Sequence, residues 1–206
     1  MKNVKSTFIV KKVFSIANEK VKLELIKYNK RIQNILNIKL LNYKLFSGKY
    51  IIYSKKGVGK EYNAITDNLI YEGEYLNGKR NGKGKEYNFG GKLIFEGEYL
   101  NGIRNGKGKE YEFGELVFEG EYLNGERNGK GKEYGFYGEL KFEGEYLNGR
   151  RNGKGIEYNI TREIKFEGKF LNGKKIEGKG YNKNGDIVYE IKDGKGYIKY
   201  MMLKIN

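Results

Sequence analysis

The sequence has 206 residues, a formal net charge of +15 at neutral pH, and no cysteine or histidine. The lack of cysteine excludes a disulfide framework and thiolate chemistry, and the lack of histidine removes the commonest general base and the usual transition-metal ligand. We therefore expect a protein that is not an enzyme, with no catalytic, metal-binding or cofactor-binding residues and no cofactor.

The positive charge is concentrated outside the central part of the chain. Residues 1–45 contain 11 basic and 2 acidic side chains, a net of +9, whereas residues 71–158 contain 15 and 16, a net of −1. A basic groove that follows phosphates along the centre is therefore not expected, and neither is a nucleic-acid partner. A basic N-terminal segment suits an acidic partner or an anionic membrane surface.

Residues 1–45 are predicted to form a small helical cap. Ile9, Val13 and Ile16 recur at helical spacing, as do Ile32 and Ile35 further along. A cap of this size would cover the first exposed edge of a following sheet. The segment has neither the apolar core of a signal peptide nor the ~18 apolar residues of a membrane span. We expect a cytoplasmic protein, with membrane or cytoskeleton association left open.

A second interpretation of this segment rests on its apolar rhythm. The runs Phe8–Ile16, Val21–Leu25 and Tyr28–Ile32 are similar to the rhythm of an F-box, a short helical motif that docks an adaptor of ubiquitin ligases. The resemblance implies an alternative role as an adaptor of the ubiquitin system. In that role the N-terminal helices would bind a ligase subunit and the rest of the chain would recruit a substrate.

A 17-residue pattern dominates the rest of the chain and predicts a repeat architecture. It first occurs at Tyr71–Tyr87 and returns at Phe95–Tyr111, Phe118–Tyr134 and Phe142–Tyr158, with a divergent copy at 166–181. The glycine two residues after the first aromatic recurs at spacings of 24, 23, 24 and 24 residues. Periods of ~20–50 residues are typical of proteins built from stacked supersecondary units.

Each repeat is predicted to form a β-hairpin. Aromatic and acidic residues alternate over 71–75, Asn77–Gly82 is rich in turn-forming residues, and residues 83–87 alternate again. With a loop of about four residues, Tyr75 faces Gly84 and Glu74 faces Lys85. Rings would then lie over bare glycine backbone, and opposite charges would face each other across the strands. Successive hairpins predict one long antiparallel meander.

The order aromatic-x-Gly, then Asn-Gly, then Gly-x-Gly resembles the MORN repeat (membrane occupation and recognition nexus). The resemblance covers roughly residues 46–200, with irregular first and last units. It implies a mainly β fold, an elongated single-layer antiparallel sheet of tandem hairpins with the helical cap of residues 1–45 and a C-terminal tail at 201–206. The usual roles of the family, by resemblance, are scaffolding, self-association and binding of partners or membrane surfaces.

Two rows of side chains recur once per repeat and are the candidate binding residues. An aromatic stripe that would offer a shallow groove to a protein partner consists of Tyr75, Tyr99, Tyr122, Tyr146 and Phe170. A basic row near the hairpin tips that would contact anionic head groups consists of Arg80, Arg104, Arg127, Arg150 and Arg151. We expect a scaffold that binds a protein partner or a second copy of itself, with peripheral binding to anionic membranes as the alternative.

Overall fold

A computed structural model describes residue 12 and residues 48–54 and 57–198 of the chain. The described residues form one 14-stranded antiparallel sheet in which the order of strands is their order in the chain. The predicted mainly β, single-layer meander is therefore confirmed. The predicted helical cap at 1–45, apart from Lys12, and the predicted tail at 201–206 lie outside the described residues.

Hairpin follows hairpin with no crossover from the first described strand to the last. The strands are β1 Lys49–Tyr53, β2 Val58–Asn63, β3 Leu69–Leu76, β4 Lys79–Tyr87, β5 Leu93–Leu100, β6 Ile103–Glu112, β7 Glu115–Leu123, β8 Glu126–Tyr134, β9 Leu140–Leu147, β10 Arg150–Tyr158, β11 Ile164–Leu171, β12 Lys174–Tyr181, β13 Ile187–Lys192 and β14 Lys195–Ile198. Each repeat contributes two strands, so that equivalent residues of neighbouring repeats lie about 9.6 Å apart along the sheet.

The first Asn-Gly pair of each repeat forms a two-residue hairpin turn. Asn77 and Gly78 have φ values of 50° and 74°, and Leu76 faces Lys79 directly across the turn. Positive φ at both central positions defines a type I′ turn, which asparagine and glycine adopt at little cost. The predicted loop of about four residues was therefore wrong, and the chain turns within two.

The rest of the predicted loop is part of the second strand and contains a β-bulge. Gly82 adopts a φ of 90° there, and the carboxylate of Glu74 occupies the space where a Cβ would lie. Between the turn and the bulge, Tyr75 faces Arg80 rather than Gly84, because the turn has two residues and not four. Beyond the bulge, Gly84 faces Gly73, so the predicted register was wrong on both sides of it.

A continuous row of glycines crosses the sheet from β2 to β12, each directly opposite the next. This glycine row consists of Gly59, Gly73, Gly84, Gly97, Gly108, Gly120, Gly131, Gly144, Gly155, Gly168 and Gly178. A Cβ on Gly108 would come within 2.4 Å of the Phe95 ring. Rings do lie over glycines as predicted, but the ring over Gly108 is mainly Phe95 and not Tyr99.

The two aromatic residues of each repeat pack on one face of the sheet into a continuous buried ribbon. The Phe95 ring contacts Tyr99 and Tyr122 edge-to-face, with centroids 5.6 and 5.1 Å apart. We call the whole set the aromatic ribbon, which consists of Tyr71, Phe95, Tyr99, Phe118, Tyr122, Phe142, Tyr146, Phe166 and Phe170. Each ring thus links two repeats, which gives a single-layer sheet a continuous apolar core.

Candidate binding face of the sheet

The aromatic ribbon is covered on its outer side by one basic residue per repeat. The Arg104 guanidinium lies 4.0 Å above the centre of the Phe95 ring. The equivalent cations are Arg80, Arg127, Arg151 and Lys175, at 4.2, 4.1, 4.1 and 4.4 Å from their rings. Cation–π contact and the apolar stem of each side chain together shield the rings from water.

Glutamates of the second strand join these cations into an unbroken series of opposite charges. Glu86, for example, pairs with both Arg80 and Arg104. We call the series the charge ladder, and in order it consists of Lys49, Glu61, Arg80, Glu86, Arg104, Glu110, Arg127, Glu133, Arg151, Glu157 and Lys175. Its arginine side chains are between 17% and 26% exposed. Solvent therefore screens these pairs less than pairs at an open surface.

The charge ladder makes the stability of the fold depend on pH in the acidic range. Burial raises the pKa of Glu110, but hydrogen bonds from Arg127 and Tyr122 and the nearby arginine charges outweigh it, so its pKa lies below the usual 4.5. The pKa of Glu133 is lowered for the same reasons. A carboxylate with a lowered folded-state pKa stabilises the fold above its unfolded-state pKa, and this contribution is lost as the pH falls through the folded-state value.

We expect the urea midpoint of unfolding to fall as the pH is lowered below about 4.5. Glu133→Gln is expected to flatten this dependence, because the variant lacks one of the carboxylates that must take up a proton. Glu126→Gln serves as the matched control, since Glu126 is exposed. Unfolding curves followed by circular dichroism between pH 7 and pH 2.5 make the comparison, and identical pH profiles for the wild type and Glu133→Gln would contradict it.

The predicted aromatic stripe lies almost entirely inside the fold. Tyr99, Tyr122, Tyr146 and Phe170 are between 2% and 4% exposed, and Tyr75 is partly buried against them. The sequence identified which residues form the stripe. It did not show that the stripe would pack against the first aromatic ring of each repeat, such as Phe95, and that cations would cover those rings.

The predicted basic row is divided between the charge ladder and the surface. Arg80, Arg104, Arg127 and Arg151 occupy the second position of their strands rather than the loop tips, and each packs on a ring and pairs with glutamate. Arg150 begins its strand and is exposed. Four of the five predicted contacts therefore already have partners within the fold.

The opposite face of the sheet carries a long open groove. The groove has a volume of about 1570 Å³ and extends from β1 to β12 along the backbone of the glycine row. Twelve strands at a spacing of about 4.8 Å give it a length of about 53 Å. Sequence reasoning missed this groove, although the recurrence of one glycine at the same level of every strand was its signal.

Two walls of alternating charge border the groove. The first wall consists of Lys60, Glu72, Lys85, Glu96, Lys109, Glu119, Lys132 and Glu143. The second contains the facing pairs Lys83 with Glu98, Lys107 with Glu121 and Lys130 with Glu145. Opposite charges face each other as predicted, but Lys85 faces Glu72 and Glu96, so the predicted pairing of Lys85 with Glu74 was wrong.

Tyrosines hold the glutamates of the first wall in place. The hydroxyl of Tyr111 donates a hydrogen bond of 2.7 Å to Glu96, and Tyr134 donates one of 2.6 Å to Glu119. Tyr87 and Tyr158 bind their glutamates in the same way. Burial and the bonded carboxylate raise the pKa of Tyr111 to about 12. These hydroxyls therefore stay protonated as donors at physiological pH.

A row of exposed leucines follows the outer margin of the second wall. It consists of Leu76, Leu100, Leu123, Leu147 and Leu171, each between 47% and 58% exposed. Side chains two residues apart along a strand share a face, which puts Leu100 on the same side of the sheet as Glu98. We call this row the leucine rim. The groove face thus combines charges of both signs with one apolar contact per repeat.

One tyrosine of the ribbon differs from its neighbours in a way that can be tested. The hydroxyls of Tyr75, Tyr122 and Tyr146 donate to glutamates at 3.0, 2.7 and 2.8 Å. The buried hydroxyl of Tyr99 has no partner among the described residues. The two oxygens of Glu86 accept hydrogen bonds from two different arginines, whereas Glu110 and Glu133 each accept from one arginine and from a tyrosine.

We therefore expect Tyr99→Phe to leave the free energy of unfolding unchanged or raised, whereas Tyr122→Phe costs about 2 kcal/mol. Tyr122→Phe loses a hydrogen bond to a carboxylate, while Tyr99→Phe removes only an unpaired polar group. The fifth repeat already has Phe170 at this position. Urea unfolding of the two single variants measures the difference, and an equal loss in both would show that position 99 is satisfied in solution.

Fold and groove together define a class of protein: a tandem β-hairpin repeat protein with one closed face and one open face. The family model described as MORN repeat matches residues 71–89, 95–111, 118–135 and 142–159. The chain is a MORN-repeat protein. In the part that the structure describes, no helix is long and apolar enough to cross a membrane, and no cluster of three or more His, Cys, Asp or Glu could hold a metal ion.

Comparison with other proteins gives no further guide to function. No curated protein matches the sequence. The chain is similar to part of the GtfA/B complex bound to UDP and GlcNAc, with 12% identity and a TM-score of 0.26 over 56% of this chain and 23% of that one. It is also similar to S. aureus TarM, as a point mutant in complex with fondaparinux, α-GlcNAc-glycerol and UDP and as another crystal structure of TarM. Both show 10% identity, TM-scores of 0.22 and 0.21, and cover 88% of this chain and 27% of those. The chain spans about a quarter of the length of these structures, and TM-scores this low do not indicate a shared function.

Proposed function

We propose that this protein is a non-enzymatic scaffold that binds a protein partner along the groove face of its sheet. The observation that supports this proposal is the contrast between the two faces. The aromatic face is closed by the protein's own charge ladder, whereas on the groove face the lysines of the charged walls and the leucine rim are open to solvent. A solvent-exposed leucine in every repeat is of use to a scaffold chiefly as a contact for a partner.

The chemistry of the groove suits a polypeptide with charges of both signs. The walls alternate Lys and Glu, so a uniformly charged partner meets as much repulsion as attraction. The leucine rim adds an apolar contact about every 9.6 Å. An α-helix lying along the groove returns an equivalent side chain every seven residues, about 10.5 Å. We propose an amphipathic helix with apolar residues seven apart as the bound element.

The decisive experiment is affinity capture from the source organism with matched variants of the full chain. Lys107→Ala/Lys130→Ala removes two exposed cations of the groove wall. Lys92→Ala/Lys183→Ala removes two exposed cations from turns outside the groove. A partner of the groove is retained by the wild type and the turn variant and lost, or weakened at least tenfold, by the groove variant.

The same proteins distinguish the alternatives. If the protein co-sediments with anionic vesicles at physiological salt and no groove-dependent protein partner is captured, the protein is a membrane binder rather than a scaffold. Capture of a ligase subunit that is unaffected by the groove variant would favour the ubiquitin-ligase adaptor. That adaptor role depends on residues 1–45, which apart from Lys12 lie outside the described residues. The F-box resemblance therefore stays a prediction.

A further inference from the structure

The second wall of the groove has different charges at its two ends. Along its middle, each lysine faces a glutamate of the following strand, in the pairs Lys83 with Glu98, Lys107 with Glu121 and Lys130 with Glu145. The sequence departs from this alternation at two places, one near each end of the groove. Opposite charges that face each other across strands stabilise a sheet, so each departure leaves one charge without its counterpart.

At the first end, a valine takes the place of a lysine. Residues 57–60 read Gly-Val-Gly-Lys, whereas residues 82–85 of the next unit read Gly-Lys-Gly-Lys. Glu74 therefore faces Val58 across the strands. Glu74 is exposed and has no ion pair among the described residues, although it accepts a hydrogen bond of 3.3 Å from the backbone N–H of Lys83. An uncompensated negative charge thus remains near this end of the wall.

At the other end, a lysine takes the place of a glutamate. Residues 166–169 read Phe-Glu-Gly-Lys, whereas residues 142–145 read Phe-Glu-Gly-Glu. Lys154 and Lys169 consequently face each other directly, and like charges in such a pair repel. Lys169 is compensated by Glu177 at 2.6 Å. Lys154 is exposed and forms no ion pair with any residue that the structure describes, so an uncompensated positive charge remains at this end.

The glutamates between these two ends are engaged within the fold. Glu98 accepts a hydrogen bond of 2.8 Å from the backbone N–H of Lys107. Glu145 faces Lys130 and accepts a hydrogen bond of 3.0 Å from the backbone N–H of Lys154. The middle of the wall therefore carries no net charge, and a difference between its two directions arises only from the ends.

The two uncompensated charges are about 34 Å apart along the groove. Glu74 lies in β3 and Lys154 lies in β10, which are separated by seven strand intervals of about 4.8 Å. An α-helix covers this distance with about 22 residues, since it rises about 1.5 Å per residue. A helix that lies along the groove therefore meets a negative charge near one end and a positive charge near the other.

We propose that the groove binds its partner helix in one direction, with a basic end of the helix over Glu74 and an acidic end over Lys154 and Lys169. The acidic end supplies the negative charge that position 169 lacks, and the basic end supplies the positive charge that position 58 lacks. In the reverse direction, like charges would meet at both ends, which disfavours that complex. This inference rests on the proposed function, because it assigns a charge pattern and a direction to the same bound helix.

Two synthetic peptides of about 28 residues and identical composition test the direction. Both carry leucine at every seventh position. In the segregated peptide, glutamates occupy the first heptad and lysines the last, an order that also suits the helix dipole. In the mixed peptide, the same charges alternate along the length. Calorimetric titration of the full chain should show at least about fivefold higher affinity for the segregated peptide, and added salt should reduce this advantage.

A nitroxide label on the glutamate end of each peptide shows where that end lies. With the segregated peptide, the label should broaden the amide NMR signals of β10 and β11 and leave those of β3 unchanged. With the mixed peptide, which has no preferred direction, the label should broaden signals at both ends of the groove.

Single substitutions test the two ends separately. Lys154→Gln should reduce the advantage of the segregated peptide to about twofold, while the urea midpoint stays equal or rises because the repulsion from Lys169 is relieved. Val58→Lys should reduce the advantage in the same way, because the new lysine faces Glu74. Lys183→Gln, at an exposed turn position outside the groove, should leave the advantage unchanged.

Four outcomes would overturn the direction. They are equal affinity for the two peptides, a labelled glutamate end at β3, an effect of Lys154→Gln no larger than that of Lys183→Gln, or no binding of either peptide at about 1 mM. If the peptides bind and Lys107→Ala/Lys130→Ala leaves their affinity unchanged, the binding site is not the groove and the proposed function fails as well. If a partner is captured through the groove but the peptides show no preference, only the direction is wrong.

Discussion

Gly131→Ala should be among the most destabilising single substitutions in this protein, with a cost of about 3 kcal/mol in the free energy of unfolding. A Cβ at this position would lie 2.5 Å from Cζ and 2.7 Å from Cε2 of Phe118. That ring cannot retreat, because it is fully buried, contacts Tyr122 and Tyr146 edge-to-face and has Arg127 above it.

Gly196→Ala is the matched control for this substitution. Gly196 lies in β14 and does not adopt a positive φ, and a Cβ added to it would meet no atom of the described residues within 4 Å. The control should change the free energy of unfolding by no more than about 0.5 kcal/mol. Urea titrations followed by circular dichroism give both values. Equal tolerance at the two glycines would mean that the ring does not rest on the backbone in solution.

A second variant tests the cause of the loss at Gly131. Phe118→Leu shortens the side chain that meets the new methyl group, although it has a cost of its own as a large-to-small change in a buried site. If the clash is the cause, the double variant Gly131→Ala/Phe118→Leu should lose less than the sum of the two single losses. Strict additivity would instead attribute the loss at Gly131 to the strand backbone.

The glycine row is one of several features of this fold that the local sequence predicts. Alternation over 71–75, the Asn-Gly turn and the 24-residue period together predict hairpins, and short connections between hairpins allow only a meander. The contact between rings and glycines was also predictable, because an unpacked glycine weakens a strand and has to be compensated. The hairpin repeats, their order in the sheet and the packing of rings on glycines thus follow from the repeated sequence pattern.

The distribution of side chains between the two faces was not predictable from the period. The turn at Asn77 and Gly78 takes two residues instead of about four, so Arg80 belongs to the second strand, faces Tyr75 and lies above Tyr71. The bulge at Gly82 then restores a register in which Gly84 faces Gly73. Glu86, two residues after Gly84, shares its face of the sheet and pairs with Arg80. The sequence therefore identified the rows of the candidate site but not which of them the fold buries.

Arg127→Ala should cost about 2 kcal/mol at neutral pH, because it removes a link in the middle of the charge ladder. Arg127 pairs with Glu110 and Glu133 and covers the ring of Phe118 at 4.1 Å. Both carboxylates keep one other arginine, Arg104 or Arg151. The cost is therefore smaller than that of an isolated buried charge left without any partner. Urea unfolding at pH 7 measures it.

The pH dependence separates the two parts of this cost. As the pH falls and the glutamates of the ladder take up protons, the ion-pair contribution of Arg127 disappears in the wild type as well. The difference between the wild type and Arg127→Ala should therefore shrink below about pH 4 to the part that comes from covering the Phe118 ring. A difference that stays constant with pH would assign the whole effect to packing.

Arg127→Lys is the control that the chain itself suggests. The fifth repeat has Lys175 at the equivalent position, 4.4 Å above its ring and 2.6 Å from Glu157. Lysine therefore keeps both the cation–π contact and one ion pair, but as a single point charge it cannot join two glutamates as arginine does. We expect a loss of about 1 kcal/mol, between the wild type and Arg127→Ala. A lysine variant as unstable as the alanine variant would show that the ladder depends on arginine bridging between repeats and not on the charge above the ring.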